Sequence, residues 1–140
     1  MSMRPLLDTN ILIDVALARA GLHEASGAAV AWCMNNPGAG LVAAHSLATF
    51  AYLVGRAAGA AKARKFIADL AEGADIARVD NPEVKRALAL PLADFEDALI
   101  AAAAEGAGAT HIVTRNTADF RRSPVKAVTP EEFVRLAARH

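Results

Sequence analysis

Cysteine is almost missing from this chain: Cys33 stands alone in 140 residues. One thiol closes no internal disulfide, so nothing in the sequence argues for an oxidising compartment. Aromatic residues are scarce, at 5%. Long apolar runs are lacking too. None approaches the roughly 20 residues that span a bilayer, and the longest candidate, Ala98 to Ala104, reads as a buried helix segment. No basic segment followed by an apolar signal core opens the chain. The expectation is a soluble cytoplasmic protein with no membrane partner. An excess of one charge is also absent, because 15 basic residues cancel 15 acidic ones. No global field therefore draws nucleic acid to the surface, and contacts to RNA must come from local patches. Arg56, Lys62, Arg64 and Lys65 form one such patch; Arg115, Arg121, Arg122 and Lys126 form another. The ordinary reading of each is a solvated face. Zinc is disfavoured, since His23, His45, His111 and His140 show no ligand spacing. There is no Walker-type glycine loop and no nucleophile-elbow serine.

What the chain does have is apolar content, 54% of the residues, which excludes intrinsic disorder. Much of it is alanine, which favours helix. The length suits one domain over residues 1–140 with a sizeable core. Arg4 to Leu7 reads as a short buried strand ending at Asp8. Helical stretches follow at Asn10 to Arg19 and Glu24 to Asn35, the second with Ala28, Val30, Ala31 and Met34 on one face. Leu41 to Ala43 is a second strand, and Ser46 is suited to cap the helix running to about Ala57. Ala60 to Glu72 is a basic helix with Phe66, Ile67 and Leu70 inward. Ile76 to Val79 is a third strand, followed by a helix with Pro82 in its first turn. Asp94 precedes the helix Phe95 to Glu105, which Gly106 and Gly108 end. Thr110 to Thr114 is a fourth strand and Val125 to Val128 a fifth. Thr129-Pro130-Glu131-Glu132 is the cap of the terminal helix. Strands alternating with helices predict an α/β fold with a mainly parallel central sheet of about five strands.

Acidic residues fall where such a sheet gathers ligands, at the carboxyl ends of strands. Asp8 follows the first strand and starts a helix, so it reads equally as a cap and as a site residue. Asp94 and Asp97 share a helical face. Asp94 suits an N-cap, whereas Asp97 stands among Ala98, Ala101 and Ala102, where a carboxylate needs a partner. Glu96 reads as surface or as support. Asn116 and Asp119 lie in the turn after the fourth strand, a common place for both types. His45 reads as structural or exposed, and Cys33 as a small core residue. Together Asp8, Asp97 and Asp119 suggest a site for a hard cation such as Mg2+ or Mn2+. They are expected to converge in space.

Leu7-Asp8-Thr9-Asn10, Asp94-Phe95-Glu96-Asp97-Ala98 and Thr114-Arg115-Asn116 with Asp119-Phe120 occur in this order along the chain. In these motifs it resembles the PIN-domain family, the fold of VapC-type toxins. The resemblance implies a PIN-like three-layer α/β/α sandwich. It also implies a magnesium- or manganese-dependent ribonuclease acting on single-stranded RNA, the toxin of a toxin–antitoxin pair, often a homodimer, with an antitoxin partner. Asp8, Asp97 and Asp119 would carry over as metal ligands and catalytic residues. Asn116 would support them, along with Asp94, Thr9, Asn10, Thr114 and Arg115. The family's usual second-site Glu falls on Thr49, within Ser46-Leu47-Ala48-Thr49-Phe50-Ala51-Tyr52. A hydroxyl there contributes no negative charge, and Asp94 or Asp14 would have to compensate. The alternative is a degenerate PIN domain that binds RNA or a protein partner without cleavage.

Overall fold

The computed structural model describes residues 2–139. Met1 and His140 lie outside them. Five strands are present: β1 (Pro5–Leu7), β2 (Leu41–Ala43), β3 (Asp75–Ala77), β4 (His111–Val113) and β5 (Ala127–Val128). They form one sheet in the order β3-β2-β1-β4-β5, and every neighbouring pair is parallel. Seven α-helices connect them: α1 (Thr9–Ala16), α2 (His23–Asn35), α3 (Ala44–Ala58), α4 (Ala60–Gly73), α5 (Asn81–Ala89), α6 (Phe95–Gly106) and α7 (Pro130–Ala137). A 3-10 turn at Thr117–Phe120 lies between β4 and β5.

Side chains alternate across the strands, and this splits the core in two. Leu7, Val42 and Val113 pack with residues of α1, α2, α3, α4 and α7. Leu6, Leu41 and Ile112 pack on the other face with residues of α5 and α6. The result is the expected three-layer α/β/α sandwich. The central strands β1 and β2 are buried along their whole length, as parallel strands covered on both faces must be. Each buried Leu or Ile contributes about 1.5–3 kcal/mol. On α6 the buried residues include Ala98, Ala101, Ala102, Ala103 and Ala104. Their small side chains let the helix lie close against the sheet. At Gly40 an added Cβ would sit 2.5 Å from the Cys33 sulfur, so glycine is what lets β2 begin against α2. No helix among the described residues is long and apolar enough to cross a membrane.

Four local readings are corrected. The first helix ends at Ala16, not Arg19, because Ala18 adopts positive φ and Arg19 donates its N–H to the Asp14 carbonyl. On α2 the buried residues are Ser26, Ala29 and Cys33, while Ala28 and Ala31 face solvent. With alanine at so many positions the apolar stripe was ambiguous, and the buried Asp14 carboxylate fixes the rotation through Ser26. Ser46 is no cap: α3 starts at Ala44, and Ser46 is fully buried inside its first turns. The caps at Asp94 and Thr129 form as the sequence indicates, the latter a reciprocal box with Glu132. The third strand starts one residue earlier than expected and ends two earlier, at Ala77, with Ile76 43% exposed because β3 is an edge.

Candidate active site

The carboxyl ends of β1, β2 and β4 meet where α1, α3 and α6 begin. Asp8 extends β1, donating its N–H to the Val113 carbonyl at 2.9 Å. Its Oδ1 accepts the Thr9 N–H at 2.8 Å, capping α1. Its Oδ2 accepts the Thr114 hydroxyl at 2.8 Å. Cap and candidate ligand are thus the same residue, with both oxygens fixed. The Thr114 oxygen in turn accepts the Asn116 N–H at 3.1 Å, which ties the closing loop to the same point. The Thr9 hydroxyl donates to Ser46 Oγ at 2.8 Å and fastens α1 to the start of α3. Burial holds the Asp8 carboxyl above its ordinary value, while the Thr114 and Thr9 hydrogen bonds draw it back down.

Asp94 caps α6, its Oδ1 accepting the Asp97 N–H at 3.0 Å. Asp97, half-buried one turn in, has its carboxyl pushed up to about 6. Burial is the main cause, followed by the negative charges of Asp94, Asp8, Asp119 and Glu96. Asp119 sits in the 3-10 turn and donates its N–H to the Asn116 carbonyl at 3.0 Å. Residues over a hundred positions apart in the chain therefore share one electrostatic field. That field is acidic at Asp97 and is eased at Asp8 by the charge of Arg115. Among the described residues, however, no three acidic, His or Cys side chains are gathered tightly enough to ligate one ion directly.

A family model for the PIN domain matches residues 4–118. The chain belongs to the PIN domain family. The matched region stops just before Asp119. Among solved structures, a toxin–antitoxin complex from Klebsiella pneumoniae superposes with a TM-score of 0.70 at 24% identity, covering 90% of this chain and 97% of that one. VapBC2 from Rickettsia felis, solved bound to a DNA fragment from its promoter, gives 0.69 at 18% identity over 91% and 98%. VapC20 from Mycobacterium tuberculosis, a sarcin–ricin-loop-cleaving toxin, gives 0.63 at 18% identity over 77% and 86%. At such identities these structures share the fold. No curated protein matches the sequence.

Within the PIN fold, Thr49 lies half-buried on α3, one turn beyond Ser46 and on the same helical face. Asp14 does not stand in for an acid there. It is fully buried and accepts Ser26 Oγ at 2.9 Å, Arg115 Nε at 2.8 Å and Arg19 at 3.4 Å. The same ion pair removes Arg115 from the expected basic patch: its guanidinium points into the fold. The first patch is likewise partly spent, with Arg56 over the Tyr52 ring and Lys65 on Asp69. Asp94 and Glu96 are the additional acids whose charge reaches Asp97.

His45 was not expected at this site. It opens α3 with both ring nitrogens out of solvent and without a hydrogen bond of full geometry. Burial lowers its pKa, against the Asp8 charge and the backbone of Glu96, which raise it. Its only sequence signal was its place directly after the second strand. Cys33 is inert, its thiol pushed up to about 12 by burial. A cavity of 360 Å³ opens beside the carboxylates, lined by Pro91, Leu92, Asp94, Asp97, Asp119, Arg121 and Arg122 among others. A larger hollow of 830 Å³, against Met3 and Trp32, carries no titratable side chain.

Proposed function

We propose that this PIN domain is a divalent-cation-dependent endoribonuclease acting on single-stranded RNA. Asp8, Asp97 and Asp119 would hold a hydrated Mg2+ or Mn2+, in part through its bound waters; such an ion supplies Lewis acidity and a water acidified toward neutral pH. The supporting observation is the Asp97 carboxyl, lifted to about 6 in the combined field of Asp94, Asp8, Asp119 and Glu96. Like charges are rarely confined together at a strand-end cleft without a ligand to compensate them. Thr9 and Thr114 fix the two Asp8 oxygens, and Thr114 also holds the Asn116 loop that carries Asp119. Asn10, in the first turn of α1, and Asn116 would orient substrate. The structural relatives include toxin–antitoxin complexes, which supports the toxin role and an antitoxin partner. Exposed Tyr52, Leu53, Leu88 and Phe95 offer apolar surface for an antitoxin or for a homodimer.

A second reading, an RNA- or protein-binding PIN domain that does not cut, draws on Thr49. A threonine supplies no charge where the family resemblance places a Glu. One assay separates the two. Purified protein is incubated with labelled single-stranded RNA in magnesium, in manganese and in excess chelator. Cleavage is expected only with a cation, and Asp8→Asn should abolish it while leaving the fold intact. Thr49→Glu should raise cleavage and tighten manganese by about tenfold to a hundredfold, the effect of about 1–3 kcal/mol from one added charge at a partly solvated site. Cleavage in chelator, or by Asp8→Asn at the wild-type rate, rules out this site. No cleavage under any condition, with RNA still bound, favours the second reading.

A further inference from the structure

The chain carries 15 basic residues, and its arginines divide by whether they already have a partner. Arg4 pairs with Asp75, Arg19 and Arg115 with Asp14, Arg78 with Glu83, and Arg86 with Glu105. Arg121 and Arg122 are exposed and make no ion pair among the described residues. Both line the 360 Å³ cavity that Asp94, Asp97 and Asp119 also line. Its lining also includes Pro91, Leu92 and Ala93, a short apolar segment leading into α6. Arg121 also lines a second hollow of 630 Å³, with Ser123, Pro124 and Lys126, on the far side of the 3-10 turn. The two hollows share Ala118 and Arg121. Guanidinium groups without an ion pair thus line the same cavity as the carboxylates, and Arg121 joins it to the second hollow.

This juxtaposition selects a ligand with alternating demands. Carboxylates alone repel a polyanion, and arginines alone bind any anion. A phosphodiester chain fits both when a dication faces Asp97 and the flanking phosphates face the arginines. Arginine suits that task, since its planar fork meets phosphate oxygens in two places. The smaller cavity is in the range of about 300–1,000 Å³ typical of small-ligand pockets. Its Pro91–Ala93 wall gives a base something apolar to lie on. An acidic peptide would meet the carboxylate wall without a stacking base and is the weaker fit. Resting on the ribonuclease reading above, we propose that Arg121 and Arg122 grip the phosphates flanking the scissile bond. The RNA strand then runs over the Thr117–Phe120 turn from one hollow to the other.

The test is equilibrium binding of a fluorescent single-stranded RNA at fixed free magnesium, with the RNA shown intact on a gel at each reading, across a salt series. Each phosphate contact to a single strand contributes about 0.7 to the slope of log affinity against log salt. Arg121→Ala with Arg122→Ala should flatten that slope by about 1.4 and weaken binding about tenfold or more. The paired Lys substitutions should keep the salt slope but lose part of the affinity. Lys62→Ala with Arg64→Ala, in the other basic patch, should change neither. Circular dichroism checks that each variant folds. If wild type binds and cuts RNA while the Arg121/Arg122 variant binds as well as wild type, the grip is refuted and the ribonuclease reading stands. The same holds if the variant loses only affinity for an oligo-glutamate peptide. If wild type neither binds nor cuts RNA, both fall together.

Discussion

Asp97 shows how a single residue reports on its surroundings. Its carboxyl, ordinarily near 3.8, is raised to about 6 by burial and by neighbouring negative charge. The fold therefore favours its protonated form. Ionising it costs stability, so this residue's penalty is absent below pH 3.8, grows as pH rises, and is complete above about 6. In metal-free protein, the melting temperature is expected to fall over that window, and Asp97→Asn should remove part of the fall. Thermal melts of the two proteins at matched pH check this; parallel profiles would mean that Asp97 is not crowded by charge. The places of Asp8, Asp97 and Asp119 at the ends of strands, helices and turns were legible in the sequence, because local patterning is strong there. Asp14 and His45 were not. The partner of Asp14 is Arg115, 101 positions away, and no local pattern announces such a pair. His45 gains its meaning only when α6 is brought beside α3.

Elements were legible where local chemistry fixes them and ambiguous where it does not. The capping residues Asp94 and Thr129 fall where the sequence puts them, because an N-cap is decided by its neighbours. The face of α2 was misjudged because alanine is equally at ease inside and outside. What orients α2 and the closing loop is the Asp14 cluster, which joins α1 to Ser26 of α2 and to Arg115 after β4. Removing one partner of a buried ion pair costs about 3–5 kcal/mol. The Arg115 and Arg19 side chains are 27% and 40% exposed and can partly turn to water, so Asp14→Ala should fall near the lower end of that range. Urea denaturation measures it. The Asp14→Ala, Arg115→Ala double variant should lose less than the sum of the single losses, as coupled partners do. A loss below about 1 kcal/mol, the scale of a surface pair, would show that the cluster does not brace the loop.

At the scale of the molecule, a parallel five-stranded sheet brings dispersed chain segments to one edge. The sequence announced that sheet through alternating strand and helix patterns. The strand order places β1 between β2 and β4. Asp8 therefore lies between the start of α3 and the loop bearing Asp119, with α6 over the same end. Overall neutrality concealed a local concentration of both charges, with Asp94, Asp97, Asp119, Arg121 and Arg122 lining one cleft. Composition alone cannot reveal that concentration, because it sums over the surface. The central claim is that the carboxylate cluster is a cation site, and the most direct measurement is a crystal soaked in manganese and read by anomalous scattering. The expected result is a peak among Asp8, Asp97 and Asp119, lost in Asp8→Asn crystals treated alike. A manganese peak elsewhere with none at this cluster, or one that survives Asp8→Asn unchanged, would contradict it.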